Sequence, residues 1–169
     1  MRLKNYDYSS AGGYFITINT LNKKRFLGRI EAGVMHLSET GQIVESVFGT
    51  IAEHHPYAMI DTFSILPDHL HCILFLNPKG ELDESQATFR VLSDRLEKTS
   101  TAANKTCCHH KGSISLVIQQ FKAEVTRECH RKGISFAWQE RFHERVIRSY
   151  PDYERITYYI EENVRNWKG

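Results

Sequence analysis

The amino-acid sequence predicts an α+β fold in which an antiparallel sheet of ferredoxin-like type is covered by helices. Two apolar, β-branched runs flank the turn residues Leu66-Pro67-Asp68, which is the pattern of a β-hairpin. Three other stretches carry apolar residues at helical spacing. The predicted elements follow one another as β, β, α, β, β, α, β, α, and antiparallel strands with helices on one face are typical of this fold class.

The first half of the chain is predicted to supply four strands and one helix. Residues 13–19 are β-branched and aromatic after a glycine pair and predict a buried strand, and a weaker strand pattern covers residues 33–37. Residues 42–55 place apolar side chains at helical spacing until a proline stops the pattern. The two strands of the hairpin are predicted at residues 57–66 and 71–76.

The second half begins with a polar segment and then becomes strongly periodic. Residues 77–112 show no clear periodicity apart from a short helical stretch near residues 89–96, and we predict a mobile insertion at about residues 82–111. Residues 114–130 form one apolar helical stripe, which Gly133 ends. A strand is then predicted near residues 143–148, followed by a last helix from Pro151 to about Trp167.

Length and composition predict a single domain over residues 1–169. Hydrophobic side chains make up 41% of the 169 residues, which is enough for one compact core. No apolar run approaches the roughly 20 residues that cross a bilayer, and the first residues lack the apolar segment of a signal peptide. We therefore expect a cytoplasmic protein without a membrane partner, with its four cysteines reduced.

The strongest chemical signal is a pair of histidines spaced by one residue on a predicted strand. Because side chains alternate between the faces of a strand, His69 and His71 project to the same side while Leu70 points away. Two imidazoles in this arrangement can bind one divalent cation, although most such sites need further ligands. The alternative is that the pair is simply a half-exposed part of the strand. The chain has nine histidines, so a pair can arise by chance.

The last predicted helix carries a second candidate, a tyrosine at the border of the buried stripe. The apolar arc that faces the core consists of Tyr153, Ile156, Ile160, Val164 and Trp167. Tyr159 and Asn163 lie one turn apart on the shoulder of this arc, whereas Tyr158 points toward solvent. A tyrosine held by its neighbours with an accessible hydroxyl suits a nucleophile. The alternative is an ordinary aromatic residue at the rim of the core, with Asn163 an exposed polar residue.

These segments together resemble the single-tyrosine HUH transposases, which include the REP-associated tyrosine transposases and the transposases of small bacterial insertion sequences. The resemblance covers nearly the whole chain except about residues 82–111. It rests on Tyr8-Ser-Ser-Ala-Gly-Gly-Tyr-Phe-Ile-Thr17, Pro67-Asp-His-Leu-His71, Phe121-Lys-Ala-Glu-Val-Thr126, Trp138-Gln-Glu-Arg-Phe-His-Glu-Arg-Val-Ile-Arg148 and Tyr159-Ile-Glu-Glu-Asn163. The ordered set of motifs is specific, whereas a histidine pair alone is not.

The resemblance implies an active site and a reaction. It makes His69 and His71 ligands of Mg²⁺ or Mn²⁺, Asn163 a third ligand and Tyr159 the nucleophile. The family reaction cuts single-stranded DNA, forms a 5′-phosphotyrosine and frees a 3′-hydroxyl, so that a second strand can be joined without ATP. Single-stranded or hairpin DNA is the implied partner, and a homodimer is the implied assembly. One departure is Val164, where many relatives carry proline, so the helix is expected to continue past Asn163.

DNA contacts are predicted in the basic segment 111–148, although the net charge of +2 does not by itself point to nucleic acid. The candidates are Lys122, Arg127, Trp138, Arg141 and Arg145. Trp138, with Phe136 and Phe142, would stack on unpaired bases while the arginines reach phosphates. The alternative is that these aromatic residues fill the core and the arginines are solvated.

The sequence thus predicts a metal-dependent endonuclease and strand transferase of transposase type. One alternative is a DNA-binding module that keeps the fold and has lost turnover, which the presence of His69, His71, Tyr159 and Asn163 argues against. The other is a metal-dependent hydrolase, whose cleavage ends with water. Only the strand transferase forms a covalent protein–DNA adduct.

Overall fold

The computed structural model describes residues 11–77 and 113–168. The predicted insertion at residues 82–111, with the short helix near residues 89–96, lies outside the described residues. The single domain over residues 1–169 therefore stays a prediction.

A four-stranded antiparallel sheet lies at the centre of the fold. Its strands are β1 (Gly12–Thr20), β4 (Ala58–Leu66), β5 (His69–Leu76) and β6 (Trp138–Ile147), in the order β4-β5-β1-β6. A separate two-stranded sheet pairs β2 (Gly28–Glu31) with β3 (Val34–Leu37). The predicted α+β class is confirmed, and so is the hairpin that joins β4 to β5.

Two strands differ from the prediction. The sequence pattern did not predict β2, because it is only four residues long and its side chains are alternately half-buried and exposed. Strand β6 begins five residues before the predicted start at residue 143, because Thr20 pairs with Trp138 across a bulge. The bulge interrupts the regular alternation on which the prediction depended.

Side-chain caps precede three of the four α-helices that the structure describes. The helices are α1 (Glu39–Gly49), α2 (Ile51–His54), α3 (Ile114–Arg131) and α4 (Tyr150–Glu162). The Ser38 hydroxyl accepts a hydrogen bond from the Gly41 amide at the start of α1, and Ser113 caps α3 in the same way. The single predicted helix over residues 42–55 was wrong in its bounds. The helix starts earlier at the Ser38 cap and breaks at Thr50, whose hydroxyl donates to the Val47 carbonyl.

The sheet is covered on both faces, which corrects the prediction of helices on one face. On one side α1 and α3 enclose the larger apolar cluster, which includes Ile16, Leu70 and Val117. On the other side Ile156 and Ile160 of α4 pack on a second cluster. The strands contribute Ile73, Phe75 and Ile147 to this second cluster. Because β5 is central and apolar on both faces, a helix is needed on each side to bury it.

The end of α4 also differs from the sequence-based expectation. The regular helix ends at Glu162, and turns continue as far as Asn166, whose amide donates to the Glu162 carbonyl. The expected continuation of the helix through Trp167 is therefore wrong, although the chain stays close to helical geometry at Asn163. Helix ends tighten in this way where carbonyls lose their regular partners.

Two further expectations bear on the chain's environment. Cys72 and Cys129 are free and buried, as predicted for cysteines that act as small apolar residues. Among residues 11–77 and 113–168, no helix combines the length and apolar character needed to cross a membrane.

Candidate active site

One face of the sheet brings the two histidines together at the start of β5. Their Nε2 atoms lie 3.1 Å apart, and the two residues pair in register with Asn19 and Thr17 of β1. Both nitrogen atoms point to the same place. A proton or a single cation can lie between two lone pairs in this arrangement, whereas two unprotonated nitrogens alone would repel each other.

A carboxylate and a hydroxyl hold the other nitrogen of each ring. His69 Nδ1 lies 2.5 Å from Asp68 Oδ1, and since a carboxylate only accepts, the proton of neutral His69 is on Nδ1. Its Nε2 is thereby left with a free lone pair. Thr17 Oγ1 lies 2.8 Å from His71 Nδ1 and can accept a proton from it in the same manner. Such outer partners orient histidine ligands in metal sites.

The charge state of His71 also suits a ligand. Burial, with a smaller contribution from neighbouring His69, lowers the pKa of His71 to about 3. The ring is therefore neutral over the ordinary pH range. Metals bind the neutral imidazole, so no proton has to be displaced from a charged ring at this position.

Helix α4 and the turns after it cover the histidine pair with aromatic side chains. The Tyr159 ring centroid lies 5.5 Å from that of His71 and 6.1 Å from that of Phe15, and both contacts are edge-to-face. The Trp167 ring lies 5.5 Å from the His69 ring. Tyr159 is 49% exposed, so its ring is held while much of the side chain stays accessible, and Tyr158 is 67% exposed.

Asn163 lies between these aromatic residues, four positions from Tyr159 and four from Trp167. Its side-chain Nδ2 is buried and has no hydrogen-bond partner among the residues that the structure describes. A buried amide without a partner is costly unless another group binds it, and an amide can turn to present its oxygen instead. The Asn163 side chain is therefore available to bind a further group.

Three comparisons relate the chain to known proteins. No family model matches it. An uncharacterised protein of Haemophilus influenzae is 31% identical over 171 residues, which span 99% of this chain and 88% of that protein. A REP-associated tyrosine transposase of Escherichia coli is 25% identical over 156 residues, 92% of this chain and 68% of that protein. The chain is thus related in sequence to the REP-associated tyrosine transposases.

The fold of this transposase family is also seen in a solved structure. A REP-associated tyrosine transposase bound to a REP hairpin matches 99% of this chain and 81% of its own, with a TM-score of 0.60 and 21% identity. It shares the antiparallel four-stranded sheet with helices. Similarity to transposases supports a transposase-like function that processes DNA.

Two of the predicted DNA contacts make contacts inside the fold. Lys122 Nζ donates to the carbonyls of Gln139 and Glu140 at 2.6 and 2.9 Å, and it thereby ties α3 to β6. Trp138 is 9% exposed and packs edge-on against Phe136 with ring centroids 4.8 Å apart. Because the Trp138 ring is so buried, it offers no face to an unpaired base and belongs to the core, as in the alternative interpretation. Burial also lowers the pKa of Lys122.

The three arginines are exposed but lie on different faces. Arg145 pairs in register with Phe15, which stacks on His71, so Arg145 belongs to the histidine face of the sheet, whereas Arg141 lies in the bulged part of β6. Arg145 forms an ion pair with an aspartate of α4 at 2.8 Å and keeps about half of its side chain exposed. Arg127 pairs with a glutamate on α3, the helix that covers the opposite face.

Sequence reasoning did not assign Asp68 and Thr17 to the site. The signal for Asp68 was its position next to His69, but the residue was interpreted only as part of a turn. Thr17 had no local signal, because its contact with His71 depends on the register between β1 and β5.

Proposed function

We propose that this protein is a metal-dependent DNA endonuclease and strand transferase whose nucleophile is Tyr159. The observation that carries the proposal is the packing of the Tyr159 ring against His71, whose Nε2 lies 3.1 Å from that of His69. A candidate nucleophile and a candidate metal pair, 88 residues or more apart in the sequence, thereby share one face of the sheet. The sequence similarity to a REP-associated tyrosine transposase supports the same function.

The metal site would consist of His69, His71 and the side-chain oxygen of Asn163. The residues fit a divalent ion because both imidazoles direct free nitrogens to one point and the buried Asn163 Nδ2 has no partner within residues 11–77 and 113–168. The residues described include no group of three or more His, Cys, Asp or Glu that could hold a metal ion, so oxygen ligands from Asn163, water or DNA are required. Mg²⁺ or Mn²⁺ would polarise the scissile phosphodiester and stabilise charge on its oxygens. The imidazoles favour Mn²⁺.

The reaction needs no co-reactant beyond DNA. The Tyr159 hydroxyl oxygen forms a bond to phosphorus, and the bond from phosphorus to the 3′-oxygen breaks. The phenolic proton is lost and the departing 3′-oxygen gains one, so a 5′-phosphotyrosine and a free 3′-hydroxyl result. A 3′-hydroxyl of a second strand then attacks the phosphotyrosine and restores the tyrosine. Held edge-on by Phe15 and His71, Tyr159 enters this step in a restricted orientation.

Single-stranded or hairpin DNA is the proposed substrate. The related transposase in the solved structure is bound to a REP hairpin. Arg145 lies on the histidine face, and we propose that Arg145 and the exposed Arg141 contact phosphates. Arg127 is a candidate on the other face, whereas Lys122 and Trp138 make internal contacts and have less free surface for DNA.

A homodimer is proposed because strand exchange requires two DNA ends to be held together. Light scattering of the DNA-bound protein should give the mass of two chains plus that of the bound DNA. A monomer that remains fully active at low concentration would contradict the dimer. The cytoplasmic location stays a prediction from the sequence.

The decisive experiment is to trap the covalent intermediate. The protein is incubated with a labelled single-stranded DNA hairpin and Mn²⁺, and adducts that resist denaturation are separated by gel electrophoresis. We expect an adduct in the wild type and none in EDTA, in His69→Ala or in His71→Ala, with circular dichroism unchanged. His36→Ala, a half-exposed histidine on β3, is the matched control and should keep the adduct.

The same assay separates the alternatives. Undiminished adduct in both histidine variants would reject the metal site. Cleavage without any adduct would identify a hydrolase, and binding without cleavage would identify a DNA-binding module.

A further inference from the structure

Three consecutive cations stand at the end of the sheet where β5 begins. Lys23, Lys24 and Arg25 follow β1, and every residue from Leu21 to Arg25 is exposed. Within the part of the chain that the structure describes, none of the three forms an ion pair. Most other arginines of these regions do, including Arg29, Arg131 and Arg145. Cations without a carboxylate partner lose no existing ion pair when an anion binds them.

The backbone that presents these cations has an unusual conformation. Asn22 and Lys23 have φ angles of 54° and 52°, in the left-handed region that residues other than glycine seldom adopt. The Thr20 hydroxyl lies 2.7 Å from the Lys24 carbonyl and holds the loop from inside. Backbone of this kind persists only where surrounding contacts enforce it, and it is found most often at functional sites.

Those contacts join the loop to the histidine site. The Thr20 amide donates to the Asp68 carbonyl at 2.9 Å, and the Leu27 amide donates to the Pro67 carbonyl at 3.0 Å. Both ends of the loop are therefore fastened to the turn between β4 and β5. The side chain of Asp68 in this turn accepts from His69, so one residue links the basic loop to the candidate metal ligand.

We propose that Lys23, Lys24 and Arg25 bind the phosphates of the DNA strand that flanks the bond to be cut. The inference rests on the proposed function in one respect, namely that DNA is the substrate. A DNA strand that reaches Tyr159 must continue past the edge of the site. Each of its nucleotides brings one negatively charged phosphate to that edge. The Asp68 carboxylate is the acidic group of the turn. Because it accepts a hydrogen bond from His69, it is directed toward the histidine and not toward the basic loop.

The test measures DNA binding without catalysis. A fluorescein-labelled DNA hairpin with single-stranded flanks is titrated in EDTA, and fluorescence anisotropy is followed from about 50 to about 200 mM salt, a range over which phosphate contacts dominate the change in affinity. The variant is Lys23→Gln/Arg25→Gln. Lys24 is left in place because its ammonium lies 6.0 Å from the centre of the Phe26 ring and contributes to that packing.

The matched control removes two charges elsewhere. The control variant is Arg131→Gln/Lys132→Gln. Both cations lie at the end of α3, which covers the face opposite the histidines, and they pair with Glu128 and with Glu39 of α1. The slope of log affinity against log salt should become shallower by about 0.7 to 0.9 for each lost phosphate contact, so by roughly 1.5 in the loop variant. The control should keep the wild-type slope. Lys23→Arg should also keep it, because the charge is retained.

Two results would overturn the assignment. An unchanged slope in the loop variant, or an equal change in the control, would show that the loop is merely solvated while DNA binding itself stands. If the wild-type protein does not bind the hairpin at all, both this inference and the proposed substrate fail.

Discussion

Replacing Tyr159 with phenylalanine is expected to abolish the covalent DNA adduct, whereas the same change at Tyr158 is expected to leave it intact. The two tyrosines are adjacent, and they differ in the side of α4 on which they lie. Tyr159 meets the His71 ring, while Tyr158 is 67% exposed. Phenylalanine keeps the ring packing against His71 and Phe15 and removes only the attacking oxygen, so the fold should not change.

The structure sets a magnitude for this discrimination. For Tyr158 to replace Tyr159, α4 would have to turn by about 100° around its axis. That rotation would expose Ile156 and Ile160, which are 4% and 0% exposed, at a cost of about 1.5 to 3 kcal/mol each. A total of about 3 to 6 kcal/mol corresponds to roughly 10² to 10⁴ in population. The adduct in Tyr159→Phe should therefore fall to about 1% of the wild-type level or less.

The assay is adduct formation with a labelled DNA hairpin and Mn²⁺, followed by proteolysis and mass spectrometry of the modified peptide. The wild type and Tyr158→Phe should carry the nucleotide on Tyr159. Circular dichroism and urea unfolding confirm that each variant is folded. An adduct that persists in Tyr159→Phe and maps to Tyr158, Tyr153 or Tyr150 would refute the assignment and the helical geometry behind it.

Three further changes test other parts of the structure. Asp68→Asn should weaken Mn²⁺ binding about 10- to 100-fold by calorimetry, because the carboxylate orients the neighbouring imidazole. The control Asp61→Asn on β4 should leave Mn²⁺ binding unchanged. Equal affinities in both variants and the wild type would show that Asp68 does not support the metal site. Burial and the hydrogen bond to Asp61 raise the pKa of Tyr153 to about 12, so its contribution to stability is complete below pH 10 and is lost as the pH rises toward 12. Urea unfolding of Tyr153→Phe should decline less than that of the wild type across this window, and parallel curves would contradict the linkage. Ile160→Ala should cost about 2 to 5 kcal/mol of unfolding free energy, whereas Tyr158→Ala should change it by about 0.5 kcal/mol or less; similar losses would show that α4 docks through another face.

Elements with a strong local pattern were predicted closely from the sequence. Strands β1 and β5 and helix α3 each differ from the prediction by at most two residues at either end, because alternation or helical spacing repeats several times within them. The break at Thr50 and the short strand β2 were missed. In both places the local pattern is too weak to compete with hydrogen bonds that only the folded chain supplies.

Several DNA contacts proposed from the sequence show the opposite limit. A lysine and a tryptophan in a basic, aromatic segment fit a DNA surface equally well as a core, and composition does not distinguish them. Lys122 binds the carbonyls at the start of β6, and Trp138 packs beside Phe136. Both roles arise because α3 lies against the edge strand, which is a contact between segments distant in sequence.

The sequence by itself determined which side chains project from the same face of each strand or helix. The pleat of a strand places His69 and His71 on one side, and the helical repeat separates Tyr159 from Tyr158, since both periods are properties of the local backbone. Only the tertiary structure decided that these two groups meet. The register of β1 against β5 brings Thr17 to His71, and the apolar patch of Ile73 and Phe75 draws α4 onto the histidine face. Burial of distant apolar surfaces against each other selects that face, and no local repeat in the chain encodes it.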